Sequence, residues 1–562
     1  MNLELLSPAG SFAALEAAVS GGADAVYIGG EAFNARINAT NFTDDEIKKA
    51  LAFCHKHGVR LHVAVNILIA DRDMKKAIEY VSRLYEYGVD ALIVADLGLA
   101  VEIHRLFPDF EMHASTQLSG HNSTAAKICR EIGFSRMVCA REMSGKDIKK
   151  LKENSDIDIE MFVHGAICVC HSGQCLMSAM IGGRSGNAGL CAQPCRMQYN
   201  GNGYPLSMKD MCLACHITEI KKLGVCSLKV EGRMKSPEYV YGVTKIYRTL
   251  IDENRNATQK EIKQLEALFS RSGFTDGYFT GKISGNMNGI RTEHDKKLSL
   301  HQVRLDKVKR NISPIPDYNR TLPDDLSISE YPKEKAKTSL SARFYKPETI
   351  PDSHPFDIVY LPLEKYDPEK ANGILMPPVI YDSDSERVKK ALKSAIDKGA
   401  EHIMITNIGQ FDLVNDLGAI LHADFRLNCF NAHSADFLIG LGVCDVILSC
   451  ELSLPRIRDI ILQKSVIVYG RLPLMLLEKR LNIPFLRDRK NAVFPIVREG
   501  GRDIILNSAP TYMLDRQKEL KGAFINNRHF IFTTETAAEV KDVLSDFKNQ
   551  KKRTENIRRI KA

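Results

Sequence analysis

The chain has 562 residues, 44% hydrophobic and 26% charged, with a formal net charge of +8. That length exceeds one ordinary core and, at roughly 150 residues per domain with allowance for barrels, implies two or three domains. No apolar run approaches the roughly 20 residues that cross a bilayer, and "MNLELLSPAGSF" lacks the basic and apolar regions of a secretory signal. The expectation is a cytoplasmic protein without a membrane partner, in which 14 cysteines point to metal or redox chemistry rather than structural disulfides.

From residue 3 to about 253 short apolar strands alternate with amphipathic helices. The strands are "ELLSP" (4–8), "DAVYIG" (24–29), "RLHVAVN" (60–66), "ALIVAD" (91–96), "EMHAST" (111–116), "RMVCAR" (136–141), "DIEMFVHG" (158–165) and "CSLKVEG" (226–232). Between them, stretches such as 44–58 and 73–88 carry apolar residues at helical spacing with charges opposite. Eight such units are the count of a TIM-like (β/α)8 barrel, spanning 1–255, with a doubly wound open sheet as the alternative. The gap between strands seven and eight, about 166–225, is far longer than an ordinary βα connection and is rich in Gly and Cys. Barrels of this kind carry their chemistry on the C-terminal ends of the strands and the loops that follow, so this insertion belongs to the working face.

Residues 256–352 read as a helix, a glycine-rich segment and a polar linker. Residues 353–548 read as a second, degenerate barrel-like αβ domain, and 549–562 as a basic tail able to meet a phosphate backbone. The second region repeats part of the first: 424–460 follows the pattern of 109–148, pairing Phe110 with Phe425, Glu142 with Glu451, Ser144 with Ser453 and Ile148 with Ile457. "VIVYGRLPLM" (466–475) falls where "EMFVHGAIC" stands in the first. This is an internal duplication whose second copy lacks the cysteine insertion.

Within the insertion Cys168, Cys175, Cys191 and Cys195 are spaced C-x6-C-x15-C-x3-C, with Gly173, Gly182, Gly183, Gly186 and Gly189 between them. Such glycines let a loop fold back and bring backbone N–H groups close to a compact inorganic centre. Four thiolates suit zinc or an iron–sulfur cluster, and the lack of paired CxxC knuckles favours the cluster. Arg36, His113, Gln117 and Glu142 sit at or after strand ends, where the substrate groups of barrels collect. Glu160 and His164, four apart on strand seven, are expected to share a face. His164 is placed there to hydrogen-bond a cysteine sulfur and tune the centre. His113, Glu142 and His164 are the catalytic candidates.

The stretches "EMFVHGAICVCHSGQCLMS" (160–178), "GGRSGNAGLCAQPCR" (182–196) and "SLKVEGRMKSPEYV" (227–240), with "ELLSPAG", "HASTQ" (113–117) and "AREMS" (140–144), resemble the signature of peptidase family U32. The resemblance covers the first barrel. It implies hydroxylation of an RNA pyrimidine, either a cytidine of large-subunit rRNA or the wobble uridine of tRNA. Other relatives hydroxylate a quinone ring without oxygen, and the family name implies proteolysis. The resemblance also implies a 4Fe-4S cluster on Cys168, Cys175, Cys191 and Cys195, and prephenate as co-substrate. Prephenate is a dicarboxylate, so its pocket calls for guanidinium forks or ammonium groups; Arg184, Lys209, Lys229 and Arg233 are the candidates.

A peptidase reading finds no HExxH and no GxSxG in the chain. What remains for it is a dyad of Cys168 or Cys175 with His164 or His171. A nucleophile explains one cysteine, whereas a cluster explains four. Long family members often carry a small β domain after the first barrel and further cysteines in the second half. This chain instead has the polar linker and a cysteine-free "YGRLPLMLLEKRLN" (469–482).

Overall fold

Alternation along each strand sorts the first half into two layers. Leu5, Val26, Ile28, Leu92 and Val94 pack into the large core beneath the helices, while their neighbours Leu6, Ala25, Tyr27 and Ile93 meet one another separately, inside a barrel. The computed structural model describes residues 3–36, 40–298, 313–316, 318, 320–331, 338–525 and 527–561. The expected linker therefore lies partly outside the described residues.

The strands are β1 (Glu4–Pro8), β2 (Ala25–Gly29), β3 (Arg60–Val65), β4 (Ala91–Val94), β5 (Glu111–Ala114), β6 (Arg136–Val138), β7 (Asp158–Gly165) and β8 (Ser227–Val230). Each pairs in parallel with the next, and β8 pairs with β1, closing the barrel. Helix starts are capped as the sequence dictates: Thr43 and Glu46 form a capping box ahead of Asp44–Lys56, and Asp96 caps Leu97–Leu106.

The second half closes another parallel barrel from β9 (Leu340–Phe344), β10 (Ile358–Pro362), β11 (Gly373–Leu375), β12 (His402–Ile405), β13 (Ile420–Ala423), β14 (Val443–Ile447), β15 (Lys464–Gly470) and β16 (Asn527–Phe532). Its first strand falls inside the stretch read as linker, so this barrel starts at 340 rather than 353. "LSARF" looks polar because Arg343 interrupts it, but Arg343 is fully buried against Asp424 at 3.2 Å.

Between β15 and β16, where the first barrel carries its cysteine insertion, the second carries a four-stranded antiparallel sheet of Pro473–Leu477, Phe485–Arg487, Val493–Glu499 and Arg502–Leu506. The basic tail runs back along the second barrel, with Arg559 paired to Asp515, Arg553 to Asp546 and the Lys561 carbonyl accepting from Leu454 N at 2.8 Å. These intrachain bonds leave fewer of its cations for a phosphate backbone. Among the described residues no helix is long and apolar enough to cross a membrane.

The two mouths face each other across a pseudo-two-fold axis. Asn122, capping Ser123–Glu131, donates to the carbonyls of Ile380 (2.9 Å) and Gly409 (2.8 Å). Its counterpart Asn431, capping Ala432–Gly440, donates to the Ile69 carbonyl (2.8 Å) and to Asp96 (2.9 Å). Asp382 accepts from Ser123 N at 3.1 Å, as Asp71 does from Ala432 N at 2.9 Å. Such self-complementary contacts are those of an isologous interface, here within one chain.

The symmetry corrects the sequence pairing. The turns Thr116–Leu118 and Phe425–Leu427 are each followed by a left-handed residue, Ser119 and Asn428, so Phe425 matches Thr116 and not Phe110. Ser144 and Ser453 remain matched, each preceding a helix.

Gly98 and Gly409 mark the closest approach, since a Cβ on either would overlap the side chain of Asn431 or Asn122. We expect Gly409→Ala to cost about 1–3 kcal/mol in urea unfolding, as overpacking does. An unchanged midpoint would mean that the mouths are not in this tight contact.

Candidate functional site

The interior of the first barrel is unusually polar. Arg136 joins Glu4 (2.6 Å) to Glu160 (3.1 Å), Lys229 donates to Glu160 at 2.7 Å, and His113 Nε2 meets Glu111 at 2.8 Å. His113 is fully buried in this stack, its ring against His62 at 4.9 Å, and burial lowers its pKa. The structure therefore takes His113 away from the mouth, where its strand position had suggested a catalytic role. Opposed charges satisfy one another here, which is what permits their burial.

Above the stack the mouth opens into a cleft lined by Tyr27, Arg36, Gln117, Arg141, Phe162, Lys229, Glu231 and Arg233 among others. Four cations face one lining carboxylate. Arg36 reaches Glu231 at 3.4 Å and Arg141 reaches it at 3.1 Å, while Arg233 holds Asn34 at 3.1 Å. Burial pushes the Glu231 carboxyl up, yet Arg36, Arg141, Arg233 and Lys229 together bring it below its ordinary value. Burial lowers the Arg233 guanidinium to about 10. Arg233 Nη1, Arg141 Nε and Gln117 Oε1 are buried atoms with no hydrogen-bond partner among the described residues. The unpartnered guanidinium nitrogens of Arg233 and Arg141 suit an anionic ligand, while the Gln117 oxygen calls for a donor.

Of the expected cations, Lys229 and Arg233 line this cleft and Arg184 and Lys209 do not. Arg184 is exposed and donates to the Leu190 carbonyl at 3.0 Å, and Lys209 is held through its backbone to Met287. Arg141 and Glu231 were missed. Both lie in quoted stretches, "AREMS" and "SLKVEGRMKSPEYV", just past the ends of β6 and β8, the signal that could have found them.

The cysteine insertion folds over the lip of the cleft. Gly189 has φ +77° and a Cβ there would sit 2.7 Å from the Asn34 carbonyl, beside Arg36, so only glycine fits. Arg196 ties the start of the insertion to its end, donating to the carbonyls of Ile167 (3.2 Å) and Met208 and to Ser207 Oγ (3.0 Å). Burial pushes the Cys195 thiol up to about 12, and Cys168, Cys175 and Cys191 add to the push. The four sulfurs therefore share one electrostatic neighbourhood. Four thiols gathered on one loop offer a donor set that zinc or an iron–sulfur cluster accepts.

The second half grips this loop. His171 N and Leu176 N donate to the carbonyls of Leu476 and Leu474, both at 2.8 Å, and Asn428 reaches the Gly173 carbonyl at 3.0 Å. Glu142 is buried at the centre of the grip. One of its oxygens accepts from His121 (2.8 Å) and His171 (2.9 Å), and Ser172 N and Oγ add bonds of 3.1 and 3.0 Å. His171 Nε2 passes on to Glu478 at 2.8 Å, which Arg502 holds at 2.6 Å. Although burial raises the Glu142 carboxyl, the two histidines hold it well below its ordinary value. Glu142 thus positions the loop.

His164 does not share a face with Glu160. A register shift between Phe162 and His164 turns its ring outward, against Tyr247 and Phe274, with Nδ1 at 3.4 Å from the Tyr247 hydroxyl. Burial lowers its pKa to about 3. Among the described residues it makes no hydrogen bond to a cysteine of the insertion, so the expected contact with a sulfur is not formed.

Removing Glu142 would leave two buried histidines competing without their acceptor. We expect Glu142→Ala to lose about 3–5 kcal/mol in denaturant unfolding and to speed alkylation of Cys175. Unaltered stability and alkylation would remove Glu142 from the grip.

The model of peptidase family U32 matches residues 10–289 and 374–478, more than half of the chain. The tRNA hydroxylation protein P1 of Bacillus subtilis (strain 168) is 36% identical over 324 residues, covering 54% of this chain and 76% of that relative. A 23S rRNA 5-hydroxycytidine synthase of Escherichia coli (strain K12) is 40% identical over 260 residues, 44% of this chain but only 39% of the relative's own length. A protein named collagenase from Porphyromonas gingivalis is 32% identical over 318 residues, covering 50% of this chain and 75% of its own. The chain belongs to peptidase family U32.

Proposed function

We propose that this protein is an iron–sulfur-dependent RNA hydroxylase that acts on a pyrimidine base of rRNA or tRNA with prephenate as co-substrate. The observation that carries the reading is the cationic cleft with the four-cysteine loop packed on its lip, Gly189 against the Asn34 carbonyl beside Arg36. The relatives named for rRNA and tRNA hydroxylation supply the substrate class.

Cys168, Cys175, Cys191 and Cys195 would hold the cluster, which when bound supplies single-electron transfer. Arg36, Arg141 and Arg233 present guanidinium forks that bind and orient the two carboxylates, while Lys229, kept over Tyr27 at 4.8 Å and bonded to Glu160, adds positive charge from below. The loop over the lip limits water in the cleft.

The collagenase name keeps a peptidase reading in view. Its dyad is not assembled: among the described residues His171 is engaged by Glu142 and Glu478 and His164 by Tyr247, and neither hydrogen-bonds Cys168 or Cys175.

The test is mass spectrometry of rRNA and tRNA from a strain lacking the gene. One hydroxylated pyrimidine should disappear and return with the wild-type chain. Arg141→Ala should weaken prephenate binding about 10- to 100-fold, the equivalent of roughly 1.5–3 kcal/mol for a charged hydrogen bond. RNA unchanged by the deletion would overturn the reading.

A further inference from the structure

A second polar cluster lies in the second barrel, toward the N-terminal ends of its strands and away from the mouth. The strand β14 holds one more residue here than β13: Leu421 pairs with Val443 but His422 with Asp445, which leaves Cys444 as a bulge. In a regular strand Cys444 and Asp445 would project to opposite faces. The bulge turns both toward His422. Cys444 Sγ lies 3.4 Å from His422 Nδ1 and 3.7 Å from Asp445 Oδ1, and His422 Nδ1 also meets that same oxygen. The three ligand atoms fall within 4.8 Å of one another.

We propose that His422, Cys444 and Asp445 bind a divalent transition metal of the zinc class through Nδ1, Sγ and Oδ1. Imidazole, thiolate and carboxylate are the donor set zinc accepts. The supporting shell is present. His422 Nε2 lies 3.0 Å from His402 Nδ1, and Ser465 Oγ donates to the other Asp445 oxygen at 2.6 Å. With Nε2 of His422 directed at His402, it is Nδ1 that faces Cys444 and Asp445 and would meet the metal. Cys444 is exposed, which provides an entry path. On binding, its thiol gives the proton to solvent and the metal takes its place.

The cluster belongs to the second half alone. In the first barrel the matching pair is His113 with Arg136, preceded by Ser135, and Arg136 is a cation committed to Glu4 and Glu160. The converging His121, Glu142 and His171 differ in another way, since that trio is fully buried and closed by hydrogen bonds to Ser172 and Glu478.

The test is zinc content and zinc K-edge absorption spectroscopy on the full chain after incubation with zinc sulfate and dialysis. We expect one retained zinc with a single sulfur near about 2.3 Å and nitrogen or oxygen ligands near about 2.0–2.2 Å. Cys444→Ser should remove the sulfur, Asp445→Asn should abolish retention, and His402→Ala should weaken zinc binding about 10- to 100-fold. Circular dichroism of the exposed-site variant Cys444→Ser checks that it folds. No retained zinc, or an all-sulfur shell unchanged in Cys444→Ser, would overturn the proposal. Either result leaves the hydroxylation reading where it stands, because the two sites lie in different barrels.

Discussion

The polar joint between the two barrel mouths is the constraint on which the rest depends. Asp96 and Asn431 are almost completely buried there, as are Asn122 and Asn407, and burying such groups is costly unless every one finds a partner. Asp96 accepts from Ile69 N, Leu99 N and Asn431, and Asn407 donates to the Ser119 carbonyl. These bonds are complete in only one relative placement of the barrels. A polar joint of this kind specifies a geometry more sharply than an apolar one would.

That placement builds the site. It brings the antiparallel sheet of the second half against the cysteine insertion of the first, so that Leu474, Leu476 and Glu478 fix a loop otherwise rich in glycine. The loop then lies over a cleft whose positive charge comes from three strands, β2, β6 and β8, or the loops that follow them. Below the cleft, Glu160, Arg136 and Lys229 neutralise one another in the barrel interior, which leaves Arg36, Arg141 and Arg233 to set the charge presented to a ligand. The second barrel is thus a structural part of the first barrel's site.

Much of this was legible because strand alternation and helix caps are local. The eight strands of the first barrel fall within a few residues of the stretches read from the sequence, and the cysteine loop sits on the expected face. What escaped depends on pairing at a distance. Arg343 made β9 look like linker because its partner Asp424 lies far along the chain. His164 turned outward through a register shift that no periodicity reveals. Arg184 and Lys209 looked as suitable as Lys229 and Arg233, and only the closure of β8 against β1 puts the latter pair in the cleft. The duplication was visible, but its symmetric contacts at Asn122 and Asn431 were not, since each asparagine reads simply as a helix cap.

The account stands most directly on the four cysteines acting as one polynuclear centre. The deciding measurement is iron and acid-labile sulfide per chain in anaerobically purified wild type and Cys191→Ala. The account predicts about four of each in the wild type and their loss in the variant. A colourless wild type without iron, or with zinc on these four sulfurs, would contradict it.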